Sequence, residues 1–91
     1  MREIVLDIQP FEDKATLHQY LKEQLHFSFY YGASLDALYE ELTSITDATM
    51  LTLRFPSQPY GAMAAYLPRL LTAIKGAAKE NYNLSVRFEE V

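Results

Sequence analysis

Apolar side chains recur along this chain in two distinct periods. In EIVLDI, residues 3 to 8, Ile4, Leu6 and Ile8 fall at every second position, which predicts a strand buried on at least one face and ended by Pro10. Glu12 and Asp13 then bring negative charge and a capping oxygen to a helix predicted over residues 14 to 25, whose Leu17, Leu21 and Leu25 face the core at four-residue spacing. A second helix, about residues 35 to 45, sets Leu35, Leu38, Leu42 and Ile45 on one side. At about 100° per residue, Asp36, Glu40, Thr43 and Ser44 gather on the other side, with Tyr39 at the border. TMLTLRF, residues 49 to 55, reads as a second strand, and NLSVRFE as a third, with Leu84, Val86 and Phe88 alternating against Ser85, Arg87 and Glu89. Between them, residues 60 to 81 have helical spacing, with Leu67, Leu70, Leu71, Ile74 and Ala78 as the buried stripe. Pro68 predicts a division into a short helix and a longer one, and Asn81 is expected to end the latter in a left-handed conformation.

The order β-α-α-β-α-α-β places helical crossovers between strands. It predicts an α/β fold: a small three-stranded parallel sheet with right-handed connections, packed with about four helices. At 91 residues and 49% hydrophobic content, residues 1–91 are expected to form one domain with a modest core. No repeat, low-complexity segment or linker interrupts it.

The connector HFSFYYG carries four aromatic rings in seven residues. Most of these rings are expected to be buried and to anchor the loop, with Gly32 at positive φ and Ser34 capping the helix that follows. The formal charge is −4, which argues against nucleic acid as a direct partner, since that binding draws on lysine and arginine against phosphate. No lysine or arginine lies between Lys22 and Arg54, whereas Glu23, Asp36, Glu40, Glu41 and Asp47 all do. Like charges four apart on a helix cost roughly 0.2–0.5 kcal/mol, and only Asp36 lies near enough to the helix start to gain from the dipole. An acidic ridge bordered by tyrosines suits docking on a cationic pocket, where charge steers encounter and rings supply rigid contact area.

Other chemistry finds little support in the residues. There is no cysteine, which excludes disulfides, a thiolate nucleophile and a cysteine zinc site. His18 and His26 are eight apart, not at the spacing of a helical metal pair, and both are expected at the surface. Asp36 and Glu40 lack the dry pocket that would raise one carboxyl for acid catalysis. The three glycines, Gly32, Gly61 and Gly76, form no phosphate-cradling loop. No enzyme, metal or cofactor is expected. MREIVLDIQPF lacks the features of a signal peptide, and no run reaches the roughly 20 apolar residues of a spanning helix, so a cytoplasmic protein away from membranes is expected.

TLHQYLKEQL followed by YYGASLDALYEELT resembles the barstar family, intracellular inhibitors of secreted ribonucleases of the barnase type. The family pattern is leucine-histidine on the first helix, then Tyr-Tyr-Gly-x-Asn-Leu-Asp-Ala-Leu-Trp-Asp. The resemblance is specific over residues 16 to 43 and extends to the order of strands and helices. It implies that the second helix and the loop before it plug a basic ribonuclease active site in place of RNA phosphates. Residue by residue, it implies that Tyr30 packs on the enzyme while Tyr31 is structural, that Asp36 is the first acidic contact and that Glu40 enters the catalytic site. It further implies that Thr43 makes a contact and Glu80 lies at the rim. This chain has Ser34 for the family's asparagine, Tyr39 for tryptophan, Glu40 for aspartate, and Ser44 and Ile45 for glycine and tryptophan. Ser34, Tyr39 and Ser44 therefore join the candidate partner-binding set. The alternative is a barstar-fold module that binds some other basic protein. The free chain is expected to be a monomer.

Overall fold

The computed structural model describes residues 1–91. Its elements are β1 (Arg2–Asp7), α1 (Lys14–Leu25), α2 (Leu35–Thr43), β2 (Thr49–Phe55), α3 (Ala62–Glu80) and β3 (Leu84–Glu90). The strands form one parallel sheet in the order β1-β2-β3. The expected α/β class and three-stranded parallel sheet are present, with three helices rather than four.

Strand register explains which face is packed. Ile4, Leu51 and Val86 align across the sheet, as do Leu6, Leu53 and Phe88, and these inward rows meet the helices. The opposite face carries Val5, Thr52, Ser85 and Arg87, and Val5 is exposed. One face of this parallel sheet therefore remains open to solvent, although all-parallel sheets are usually covered on both sides. Polar side chains suit it to water. Across it, Arg54 bridges Asp7 of β1 at 3.8 Å and Glu89 of β3 at 3.4 Å.

The core collects the leucine stripes of all three helices, including Leu17, Leu21, Leu38, Leu42, Leu70 and Ile74, against Leu6, Leu51 and Leu53. Asp13 caps α1 by accepting from the Thr16 amide at 2.9 Å, and that hydrogen bond holds its carboxyl below the usual carboxylate range. The helix ends at His26, whose left-handed φ of 57° is uncommon for a residue with a Cβ.

Pro68 does not divide α3, which runs unbroken for 19 residues. Proline lies on the solvent side, and Ala64, whose carbonyl loses its helical partner, is itself exposed and open to hydration. Tyr66, Leu67 and Leu70 hold the inner side of the same turns against the core. Packing of the amphipathic face thus outweighs the local penalty. Asn81, expected to be left-handed, is instead extended, with φ −132° and ψ 101°.

Candidate functional site

The second helix is mounted from three sides. Ser34 accepts a hydrogen bond from the Ala37 amide at 3.1 Å and so caps the N-terminus, while Leu38 and Leu42 fix the inner face in the core. At the other end, the buried side-chain amide of Asn81 donates to the carbonyls of Leu42 at 3.0 Å and Ile45 at 2.9 Å. Leu42 is in the last turn, where carbonyls lack regular helical partners, and its carbonyl otherwise has only a long backbone bond from the Ile45 amide at 3.5 Å and the tight contact of the Ser44 amide. The same contacts bring the C-terminal end of α3, with its exposed Glu80, to the C-terminal end of α2.

Asp36 and Glu40 are exposed on the outer face of this mount, and Glu41 is half-buried. None of the three forms an ion pair within 4.0 Å; both ion pairs in the structure belong to Arg54. Tertiary folding nevertheless changes the charge picture at one end. Lys14 and Arg69 line an open concavity together with Ser34, Leu35, Asp36 and Tyr66, so Asp36 has cations in its surroundings that the sequence placed far away. Lys22 lies 5.3 Å from the centre of the Phe29 ring.

Tyr39 is half-buried, and its ring faces α3, where Gly76 leaves room: a Cβ there would sit 3.5 Å from Tyr39 Cε2. Thr43 donates its hydroxyl proton to the Tyr39 carbonyl at 2.9 Å, shared with that of Glu40 at 3.1 Å, and Ser44 donates to the Glu40 carbonyl at 2.7 Å. With those protons turned inward, the two hydroxyls offer acceptor lone pairs outward, the same sense of hydrogen bonding as the carboxylates beside them. Ser44 lines a second concavity with Glu41, Arg2, His26 and Asp47.

The loop before α2 and the α1 residue it packs on depart from expectation in three ways. Only Phe27 and Tyr31 are partly buried, whereas Phe29 and Tyr30 are 83% and 89% exposed and stack edge to face at 5.6 Å. The positive φ belongs to Ala33, at 51°, not to Gly32. His18, expected at the surface, is 1% exposed, and its two ring nitrogens hydrogen-bond the hydroxyls of Tyr31 and Tyr66. His26 is exposed, as expected. Three roles escaped the reading by periodicity: the burial of His18 on α1, the exposure of Phe29 and the bonds from Asn81 at the end of α3 to α2. Only His18 had a signal, since it lies next to Leu17 and three before Leu21, on the edge of the apolar stripe.

The geometry of loop, acidic helix and three-stranded parallel sheet is accompanied by a match of residues 1–88 to the family model described as "Barstar (barnase inhibitor)". The chain belongs to the barstar family. A Bacillus subtilis (strain 168) protein named "Putative ribonuclease inhibitor YrdF" is 36% identical to it over 81 residues, 88% of this chain and 89% of that protein. The barstar match takes in the aromatic loop, all of α2 and Glu80. No helix is long and apolar enough to cross a membrane.

Proposed function

We propose that the chain is a proteinaceous inhibitor of a basic, secreted-type ribonuclease of the barnase class. In this reading α2 enters the enzyme's cationic cleft, Asp36 and Glu40 taking the place of RNA phosphates while Tyr30 and Tyr39 give apolar support. Thr43, Ser44 and Ser34 supply hydrogen bonds, Glu80 meets the rim, and the chain acts as a cytoplasmic monomer without a cofactor. The observation that carries the reading is that Glu40 is exposed and without a salt bridge on a helix whose inner face is fixed in the core. A carboxylate held this way meets a partner's arginine without first leaving an internal partner, and its mount keeps the loss of conformational freedom on binding small. Barstar-family membership supports the same class of target.

The test is an RNA cleavage assay with barnase and with basic ribonucleases from the host, each titrated with the wild-type chain, Glu40→Ala and Glu41→Ala. Inhibition lost with Glu40→Ala and kept with Glu41→Ala supports the reading; equal effects show that another face is used. Capture from host extract of non-nuclease partners alone, with no inhibition of any ribonuclease, would replace it by a barstar-fold module for a different basic protein.

A further inference from the structure

Between Leu25 and Leu35 the chain has no regular structure, yet it carries the most exposed pair of rings beside the acidic helix. Its internal hydrogen bonds are few: the Phe27 amide reaches the Lys22 carbonyl at 3.0 Å, the Tyr31 amide reaches the Ser28 carbonyl at 3.0 Å, and the Tyr30 amide reaches Ser28 Oγ at 3.0 Å. Phe27 also packs on the core and Lys22 of α1 lies over the Phe29 ring, but the side-chain hydrogen bond that ties Tyr31 to the body of the protein comes from the ring of His18. Nδ1 lies 2.5 Å from the Tyr31 hydroxyl of the loop, and Nε2 bonds the Tyr66 hydroxyl of α3. The rings pack as well as bond, with centroids 5.7 Å apart for Tyr31 and 5.8 Å apart for Tyr66, and Phe27 lies 4.9 Å from Tyr31.

A neutral imidazole has one N–H and one lone pair, so one of the two tyrosines donates to it. Charging the ring makes both nitrogens donors. The tyrosine that had been donating must then turn its proton away, and neither hydroxyl has another protein acceptor.

Lys14 opposes such a cation. Lys14 of α1 lies 5.3 Å from the Tyr66 ring centre, and Arg69 of α3 lies 6.0 Å from it. Two acids face the cluster from α2: Glu41, which acts on Tyr31, and Asp36, which shares an open concavity with Tyr66, Lys14 and Arg69.

We propose that His18 is the positioning residue of the docking surface: its neutral ring, shared by Tyr31 and Tyr66, holds the 27–34 loop in binding geometry, and acidification releases it. The inference rests on the proposed docking reading for its effect on a partner, but not for its effect on the loop. In support, burial and then Lys14 hold His18 below the ordinary histidine value, and burial raises both tyrosines.

The first measurement needs no partner. Ring resonances of His18 and amide exchange of Tyr30 and Tyr31, corrected for intrinsic rates, are followed by NMR from pH 7.5 to 5. Exchange at both amides is expected to rise about tenfold for each unit by which His18 titrates differently in the held and released loop. Its midpoint should coincide with that of the ring, while Leu53 in β2 stays protected. His18→Gln, which keeps a donor and an acceptor but takes no charge, should remove the pH dependence. Tyr31→Phe, which deletes one hydroxyl, should speed exchange at every pH, and it decides the matter if His18→Gln does not fold. Constant protection of Tyr30 and Tyr31 while His18 becomes charged overturns the proposal.

The second measurement is affinity for barnase at pH 7.5 and 5.5. The wild type should weaken more than His18→Gln, a difference that cancels any titration of the enzyme itself. Equal weakening overturns the link to binding. Absence of binding at both pH values counts against the inhibitor reading for this enzyme and leaves the loop experiment to decide the role of His18.

Discussion

The side-chain amide of Asn81, at the end of α3, donates to the Leu42 carbonyl of α2 at 3.0 Å across 39 residues of sequence. The same group reaches the Ile45 carbonyl at 2.9 Å, and its own Oδ1 accepts from the Asn83 amide at 3.0 Å. One buried side chain thus closes the end of the acidic helix and starts the turn into β3. Asn81→Ala leaves the Leu42 and Ile45 carbonyls without this donor and is expected to destabilise the fold by about 1–3 kcal/mol. Urea denaturation with unchanged m-value checks it, and a loss below a few tenths of a kcal/mol would mean that water replaces the amide.

Charge on α2 is expected to matter by position rather than by amount. Glu40 is exposed, and Glu41 is turned toward the half-buried side of the same helix. Removing a carboxylate that becomes buried and paired in a complex typically costs about 2–5 kcal/mol of affinity, whereas a rim charge mainly alters association rate and salt dependence. Calorimetry or surface-binding kinetics of Glu40→Ala and Glu41→Ala against an inhibited ribonuclease should show the first pattern for Glu40 and at most the second for Glu41.

Gly76 sits inside α3 opposite Tyr39, and a methyl group there would meet Tyr39 Cε2 at ordinary contact distance, 3.5 Å. Gly76→Ala is therefore expected to stabilise the fold by about 0.5–1 kcal/mol, the usual gain from alanine over glycine in a helix interior. Thermal denaturation measures it. A destabilised Gly76→Ala would show that the Tyr39 ring has no freedom to accommodate even a methyl group.

Global stability should also depend on His18, with a definite sign. Its folded-state pKa is lowered by burial and by Lys14, so the unfolded chain binds the proton first as pH falls. The stabilisation is complete above the ordinary histidine value near 6.5, declines as pH drops toward the lower folded-state value, and is gone below it. Denaturation midpoints between pH 7.5 and 5 should fall for the wild type and be flatter for His18→Gln.

Much of the fold was legible because strands and helices bury one face each. Alternation at Ile4, Leu6 and Ile8, and the four-residue spacing of Leu17, Leu21 and Leu25, marked faces that the structure places in the core. Capping by Asp13 and Ser34 was legible for a similar reason, as a cap acts within three residues. The acidic outer face of α2 followed from the same helical period. Pro68 misled because its local penalty is offset by contacts that α3 makes with distant parts of the chain.

The aromatic loop shows where periodicity ends. Phe27, Phe29, Tyr30 and Tyr31 have similar hydropathy, and no short-range rule separates the two that pack from the two that point into solvent. Their burial depends on whether a partner ring from another element is waiting, as His18 is for Tyr31.

By itself the amino-acid sequence determined the element order, the apolar faces and the acidic stripe from Asp36 to Ser44, since each follows from backbone periodicity and side-chain chemistry acting over a few residues. Only the tertiary structure decided that His18 is buried, that Asn81 closes α2 and that Lys14 and Arg69 stand near Asp36. Those relationships join residues tens of positions apart, and they exist only once the core has brought the helices together.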